Sequence, residues 1–188
     1  MSSKINVCAI LTGHVKTLKD NSTGKVSKWD VFTFFIFPIA LAVVSVVLGF
    51  KFTGDLISLL VNFGAIFTAL LLSVLVLVYD QSSKLKEKEL NTQGRDIAIE
   101  AKKALLDQLY YNICYSIIVS VSLVVSCFIE AICRGKTQII ELPLEKTISV
   151  CVDINTYLAS PLVVFLTVNL VLTIIMIVKR MHSLLTTD

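Results

Sequence analysis

The sequence predicts an all-α integral membrane protein with four transmembrane helices. Of its 188 residues, 55% are hydrophobic and 16% are charged, whereas soluble domains carry about 25% charged residues. The run Leu56–Tyr79 contains no charged side chain, and it is longer than the roughly 20 apolar residues that cross the ~30 Å hydrocarbon layer of a bilayer. A helix of a soluble core is rarely apolar on every face. Three further apolar runs bring the predicted number of spans to four.

Residues 1–30 are the predicted cytoplasmic N-terminal segment. The first apolar run starts near residue 31 and exceeds the roughly 7–15 apolar residues of a secretory signal, so we expect a retained membrane span. Apolar residues recur at loosely helical spacing between Ile5 and Leu18. This pattern is typical of an amphipathic helix on the membrane surface, and a partly ordered tail is the alternative interpretation.

The first two predicted spans are residues 31–50 and residues 56–79. Pro38 lies inside the first span, and a proline is tolerated in a membrane helix, where it can introduce a kink. The connection Lys51–Asp55 is short. A connection of this length predicts that the two spans are antiparallel neighbours.

Residues 80–108 form the one long charged segment, and we expect them to be a cytoplasmic helical hairpin between spans two and three. Leu85, Ile97 and Leu105 keep roughly helical spacing, and polar residues around Gly94 interrupt it. The pattern predicts two helical arms that project from the bilayer and join near Gly94. Their charged side chains indicate a solvated surface, and a face that binds a partner is the alternative.

The third span is predicted at residues 109–133. It begins with Tyr110, Tyr111 and Tyr115, which indicate an aromatic belt at the membrane interface. The fourth span is predicted at residues 156–178. It is followed by a cytoplasmic tail at residues 179–188, which begins with two basic residues.

The outer loop between these spans comprises residues 134–155. Apolar and polar residues alternate from Ile148 to Ile154, and this period of two is typical of a half-buried strand. Ile139, Ile140 and Leu142 offer a partner strand. A short β-hairpin in this second outer loop is therefore one expectation, although such a hairpin needs a surface to pack on.

The distribution of basic residues predicts the orientation of the chain in the membrane. The N-terminal segment, the central segment and the C-terminal tail hold 13 Lys and Arg residues, and the other two loops hold 4. Cytoplasmic loops carry an excess of these residues. Both termini and the helical hairpin are therefore predicted to be cytoplasmic, which is consistent with an even number of spans.

Three polar side chains inside the apolar spans are candidate functional residues: Asn62, Asn169 and Glu130. Each is costly against lipid, so we expect each one at a helix interface or on the wall of a lumen. Glu130 lies near the outer end of its span, four residues before Arg134. This spacing favours an ion pair, with a role in an ion pathway as the alternative.

Small residues recur four positions apart on the second and third spans. They are Gly64, Thr68, Ser116, Ser120, Ser122 and Ser126. Small residues at this spacing let helices approach closely in lipid. They predict helix assembly without identifying the partner.

Catalysis, a metal site and a cofactor site are all disfavoured by the sequence. His14 and His182 lie near opposite ends of the chain, and no HExxH, GxSxG, P-loop or GxGxxG pattern is present. The five cysteines have no metal-ligand spacing. Cys133 and Cys151 either form a disulfide or remain free thiols. Basic residues are interleaved with acids, so we expect no nucleic-acid contact.

The succession of Leu56–Tyr79, the charged YDQSSKLKEKE stretch and the span Tyr110–Cys133 resembles small multi-pass membrane effectors of bacterial anti-phage (abortive-infection) defence. More loosely, it resembles the four-span Rex membrane protein of phage lambda, whose second outer connection is shorter. The resemblance covers roughly the middle 80 residues and rests on hydropathy and a short charged signature. It implies a bacterial inner-membrane location, assembly into a homo-oligomer and control by a cytoplasmic sensor protein. It supplies no catalytic residues.

Two functions are compatible with the sequence. The first is a non-enzymatic inner-membrane effector that oligomerises and permeabilises or depolarises the membrane. The second is a non-conducting anchor or scaffold that recruits a soluble partner through the cytoplasmic hairpin. In both functions the protein is embedded in the lipid bilayer.

Overall fold

The computed structural model describes residues 7–17, 29, 32–91, 97–133, 138–142, 148–152 and 155–186. The chain is helical apart from one short pair of strands in these ranges. Its helices are α1 (Val7–Thr17), α2 (Phe37–Val47), α3 (Gly54–Asn91), α4 (Ile97–Cys133) and α5 (Ser160–Thr186). Two π-helical turns, Phe32–Ile36 and Asn155–Ala159, precede α2 and α5. The strands are β1 (Gln138–Leu142) and β2 (Ile148–Val152).

Three helices are long and apolar enough to cross a membrane, which supports a membrane location. They comprise the segments Gly54–Glu89, Ile99–Ile132 and Tyr157–Leu184. At about 1.5 Å per residue, even 20 residues of such a helix reach across the hydrocarbon layer of ~30 Å. The apolar helix Phe32–Val47 is shorter, so three of the four predicted spans have this length in the described residues.

Pro38 is the second residue of α2, which directly follows the π-helical turn Phe32–Ile36. The helix ends at Gly49, which adopts a φ of 60°, and the N–H of Gly49 donates to the carbonyl of Val46. A left-handed residue of this kind is a common way to end a helix.

The expectation that the first two spans pack as neighbours is wrong. α3 packs along α4, α4 packs along α5, and α2 packs along α5. The buried residues Ile57, Leu71 and Val78 of α3 join clusters with side chains of α4, so the inner face of α3 is already used. A short connection limits how far apart two helices lie, but it does not choose which faces meet.

The core lies around α4, which contributes to both buried clusters. One cluster comprises Phe52, Ile57, Tyr115, Val119, Leu123, Cys127, Val163 and Leu170. The other comprises Leu71, Val78, Leu106, Leu109, Ile113 and Ile177. Tyr115 therefore does not belong to the exposed aromatic belt that was predicted, because its ring is only 8% exposed. Tyr110 and Tyr111 are exposed at 43% and 38%.

The N-terminal segment contains a helix, α1, that packs against α4. Its buried residues are Gly13, His14 and Thr17, whereas Leu11 and Val15 are exposed. The face by which α1 packs against α4 combines these three residues with the partly buried side chain of Ile10.

The two arms of the central segment are continuous with the long apolar helices. α3 passes through Tyr79 without interruption and ends at Asn91, and α4 begins at Ile97. The Nζ of Lys103 lies 2.7 Å from an Oε2 of Glu89, and this ion pair joins the two arms. The predicted turn at Gly94 lies outside the described residues.

The strands β1 and β2 pair antiparallel, with Ile140 opposite Val150. They fall in the segment where sequence alternation indicates a strand. The side chains of Cys133 and Cys151 are outside the described part of the structure, and so is Arg134, the predicted partner of Glu130.

Candidate functional site

The buried face of α4 carries polar side chains along the whole of its apolar length. We call this row the polar seam, and it consists of Asn112, Ser116, Ser120, Ser126 and Glu130. None of these residues is more than 6% exposed. Buried polar groups in a helix bundle are costly unless they find hydrogen-bond partners. The partners of the seam therefore show what holds it closed.

At one end of the seam, α1 covers Asn112. Nδ1 of His14 donates to Oδ1 of Asn112 at 2.9 Å, and the hydroxyl of Thr17 donates to the same oxygen at 2.8 Å. The imidazole of His14 also stacks on the ring of Tyr115, with 3.8 Å between ring centroids. Nδ2 of Asn112 and the hydroxyl of Ser116 have no hydrogen-bond partner among the described residues.

Gly13 lets α1 approach α4 closely enough for these bonds. A Cβ placed on Gly13 would lie 2.3 Å from Cδ1 of Tyr111, well inside van der Waals contact. His14 and Thr17 reach Asn112 because residues three positions apart share a helix face. Gly13, His14 and Thr17 are spaced along the sequence so that all three lie on this face of α1.

Arg180 of α5 ties down the end of α1. Its Nη2 donates to the backbone carbonyl of Thr17 at 2.7 Å. Thr17 is the last residue of α1, and the last carbonyls of a helix have no partner within it. A cation at this position also interacts favourably with the negative end of the helix dipole.

The surroundings of His14 favour its neutral form. Burial, together with the nearby positive charge of Arg180, holds the pKa of His14 below its ordinary value of 6.5, although the hydrogen bond to Asn112 acts in the opposite direction. Burial lowers the pKa of a histidine because the charged imidazolium loses its hydration. The contact with Asn112 is therefore a bond between two uncharged side chains.

Asn169 links α5 both to α4 and to the π-helical turn before α2. The hydroxyl of Tyr115 donates to Oδ1 of Asn169 at 2.7 Å, and Nδ2 of Asn169 donates to the carbonyl of Phe34 at 2.9 Å. In a regular α-helix that carbonyl would accept the N–H of residue 38. Residue 38 is Pro38, which has no N–H. Asn169 supplies the donor that proline removes.

In the middle of the seam, α3 and α4 cross at small residues. The hydroxyl of Ser120 donates to the carbonyl of Gly64 at 2.7 Å, and the hydroxyl of Thr68 lies 2.9 Å from that of Ser120. A Cβ on Gly64 would lie 2.8 Å from Cγ2 of Val124. Gly64, Thr68 and Ser120, which were predicted as packing residues, thus meet at one helix crossing.

At the other end of the seam, Glu130 lies in contact with the start of α5. The hydroxyl of Ser160 is 3.3 Å from Oε1 of Glu130, and both residues are at most 1% exposed. A carboxyl group buried to this degree is rare in proteins. Its neighbour is a hydroxyl, so this end of the seam is polar as well.

The other predicted site residues lie elsewhere. Asn62 is exposed on the outer side of α3, away from the seam. Ser126 is buried, and Ser122 is half-buried at the edge of the same face of α4. The structure therefore places Glu130 and most of the small residues on or against the buried face of α4, brings Asn169 to Tyr115 of the same helix, and leaves Asn62 outside these contacts.

Five residues of this site were not among the candidates from the sequence: His14, Thr17, Asn112, Tyr115 and Arg180. The contacts that join them span long distances along the chain, 98 residues for His14 and Asn112. The sequence did contain one indication of this site. Asn112 is an amide at the start of an apolar run, the same feature that singled out Asn62 and Asn169.

The seam consists of hydroxyls, amides and one carboxyl group. Such oxygens can accept hydrogen bonds from water or replace part of the hydration shell of an ion, as the polar linings of channels do. Within the described residues, no group of three His, Cys, Asp or Glu side chains is arranged to hold a metal ion.

The fold and the site together define a helical protein with three membrane-length apolar helices and a sealed polar interior. Comparison with protein-family models, with curated proteins and with solved structures finds no match.

Proposed function

We propose that this chain is a four-span effector of a bacterial inner membrane, described here in its closed state, which permeabilises or depolarises the membrane when the polar seam opens. The observation that carries the proposal is the seam itself. Polar side chains line the buried face of α4 from Asn112 to Glu130, and two of their polar atoms, Nδ2 of Asn112 and the hydroxyl of Ser116, have no hydrogen-bond partner among the described residues, which helix packing alone does not require. Buried polar groups in a membrane mark pathways for ions and water in many proteins.

The helical hairpin is the proposed input. α3 and α4 run without interruption from the seam into the two arms, and the ion pair between Lys103 and Glu89 joins the arms outside the apolar segments. A helix is stiff over this length, so a partner that moves the hairpin also moves the crossing at Gly64 and Ser120. A cytoplasmic sensor protein is the proposed partner, with both chain termini on the same side.

The N-terminal helix is the proposed seal. α1 covers Asn112 through two hydrogen bonds, and Arg180 holds its last carbonyl. These polar contacts are supported by the partly buried side chain of Ile10 and by the stacking of His14 on Tyr115, and we propose that this small attachment breaks reversibly. A single intramolecular hydrogen bond contributes only about 0.5–1.5 kcal/mol.

The resemblance to anti-phage membrane effectors gives the proposal its biological setting. An effector of this kind would stay closed until infection and would then end growth of the infected cell. The chain would act as a homo-oligomer, because the seam of one copy is narrow and an opened pathway gains width when copies assemble.

Membrane potential and dye influx in induced bacterial cells test the proposal. We expect expression of the wild-type chain with its sensor engaged to collapse the potential. The double variant S116A/S120A removes two hydroxyls from the seam and should reduce the effect by about tenfold. The matched double variant S83A/T186A removes two exposed hydroxyls that lie away from the seam and should behave as the wild type. An unchanged potential at high expression of the wild type would contradict the proposal.

A non-conducting anchor or scaffold is the second candidate, and one observation favours it. Asn169 and Tyr115 already satisfy each other within the fold, which is what helix packing alone requires. The double variant S116A/S120A separates the two functions. A scaffold with these changes would still bind its soluble partner through the hairpin, whereas an effector would lose conductance.

A further inference from the structure

We infer that the outer face of α3 is the contact surface for a second copy of this chain, with Asn62 paired to Asn62 of the other copy at its centre. The inference rests on the proposed function in one respect, namely that α3 spans the bilayer. It adds the surface by which copies assemble, and it names the group that specifies the contact.

The two sides of α3 differ sharply in how they are covered. Ile57, Gly64, Leu71 and Val78 recur every seven residues, and all four are buried. Asn62 lies on the opposite side of the helix, since successive residues are offset by about 100°. Only 17% of the apolar window of α3 is buried, against 50% of that of α4. Most of α3 is therefore left without a neighbour from its own chain.

The outer face has small side chains beside Asn62. Ser58, Ala65, Ala69 and Ser73 all lie within about one quarter-turn of Asn62 around the helix axis, and all are exposed. Small side chains allow two helix backbones to approach closely, which is how helices gain contact energy in lipid. Larger apolar residues, Leu59 and Ile66 among them, border this strip and are 63% and 58% exposed.

Asn62 gives the surface a chemical requirement that lipid cannot meet. No described residue forms a hydrogen bond with its side chain. Asn62 lies six residues inside the apolar run that begins at Leu56, about 9 Å along the helix axis. An amide at that depth faces hydrocarbon, where an unpaired polar group is costly. A partner with a polar group at the same depth removes this cost.

A second copy of this chain has such a polar group, its own Asn62. Copies enter the membrane in the same orientation, so identical residues come to the same depth. An amide is both a donor and an acceptor, and two asparagines related by a two-fold axis can donate to each other. Two-fold contacts of this kind are the commonest in protein oligomers. The buried amides Asn112 and Asn169 cannot serve, because their side chains lie inside the bundle.

The charges at the two ends of the face are compatible with this arrangement. Asp80 lies near the end of the apolar run and is paired with Lys84 at 2.7 Å. Two copies would therefore bring together two ion pairs rather than two bare carboxylates. Asp55 lies in the first turn of α3, on the same side of the helix as Asn62, so a two-fold contact brings two carboxylates near each other at this end. Asp55 precedes the apolar run, and water and salt screen the repulsion between exposed charges there.

Self-association of the full chain in lipid vesicles tests the inference. Copies labelled with a donor and an acceptor fluorophore at the C-terminus report the dimer by energy transfer as the protein is diluted in lipid. N62L, which keeps the branching at Cγ and removes the amide, should raise the dissociation constant by about 3- to 30-fold, the range for interhelical hydrogen bonds in membranes. N62Q, which retains an amide, should recover most of the affinity.

A69I tests the close approach independently, because it places a bulky side chain on the strip and leaves Asn62 intact. It should also weaken the dimer. V125L changes an exposed side chain of α4 and should leave the dissociation constant unchanged. A wild-type chain that is monomeric at all dilutions, or an N62L variant as tightly associated as the wild type, would overturn the inference.

Leakage of vesicle contents, measured on the same samples, separates this inference from the proposed function. A wild-type dimer that requires Asn62 but never leaks supports the contact and contradicts the effector function. A leaking wild type that shows no energy transfer contradicts the contact and leaves the effector function standing.

Discussion

At the scale of single residues, the bond from Asn169 to the carbonyl of Phe34 shows how one side chain compensates for another. Pro38 removes a backbone donor near the start of α2, and Asn169 on a different helix replaces it. The same amide accepts the hydroxyl of Tyr115. Asn169 thus fixes three elements, and its two bonds explain why an amide lies deep in an apolar helix.

Replacing Asn169 by leucine should destabilise the fold by about 1–3 kcal/mol. The change leaves the hydroxyl of Tyr115 and the carbonyl of Phe34 buried without this partner, and an unsatisfied buried group costs that amount. Thermal unfolding in detergent micelles measures the loss. Y115F in the N169L background removes one of the two orphaned groups and should restore part of the stability. Equal melting temperatures for N169L and the wild type would contradict this account of Asn169.

Docking of α1 should depend on pH through His14. The pKa of His14 is lowered in the folded state, so the unfolded or undocked state binds more protons below the ordinary value of 6.5. The contribution of His14 is therefore fully present above pH 6.5 and decreases as the pH falls below that value. Protection of α1 from protease should weaken between pH 7.5 and pH 5. H14Q does not titrate in this range, so its protection should be the same at both pH values.

At the scale of elements, close approach at glycines decides which helices meet. G13A places a methyl group against the ring of Tyr111, so α1 should detach from α4. We expect at least a fivefold rise in hydrogen exchange of the α1 amides, with little change in α3 or α5. The double variant G13A/Y111A removes the clash and should restore protection. Protection in G13A that equals the wild type would show that α1 can shift without cost.

The crossing of α3 and α4 should be equally sensitive at Gly64. G64V brings branched carbons against Val124 and the carbonyl of Ser120, and overpacking of this kind costs about 1–3 kcal/mol or more. A40V makes a comparable change at an exposed position of α2 and should leave the melting temperature in detergent within about 2 °C of the wild type. A destabilisation of A40V as large as that of G64V would contradict the role assigned to the crossing.

At this scale, features that depend on the local sequence pattern could be predicted, and features that depend on contacts between distant residues could not. The long apolar runs are local properties, so α3, α4 and α5 follow from hydropathy and helix length. The pairing of α2 with α5 depends on Asn169 reaching Phe34, 135 residues away. The docking of α1 depends on His14 reaching Asn112. No spacing of residues within a single segment predicts either contact. A histidine in a short amphipathic helix is compatible with many environments, so His14 by itself does not indicate its partner.

At the scale of the whole molecule, the orientation in the membrane remains a prediction, and it has a direct test. The positive-inside rule predicts that the C-terminus is cytoplasmic. A green fluorescent protein fused after Asp188 should fluoresce, because it folds in the cytoplasm, and alkaline phosphatase at the same position should be inactive. Fusion of the two reporters after Phe52, following the first predicted span, should give the opposite pattern. An active phosphatase at the C-terminus would invert the topology.

The attachment of α1 also has a consequence for biogenesis. The groups that receive this helix are Asn112 on α4 and the guanidinium of Arg180 on α5. Thr17 is synthesised more than 160 residues before Arg180. The N-terminal helix must therefore wait, undocked, until nearly the whole chain has been translated and inserted, and its closure is among the last steps in the maturation of the protein.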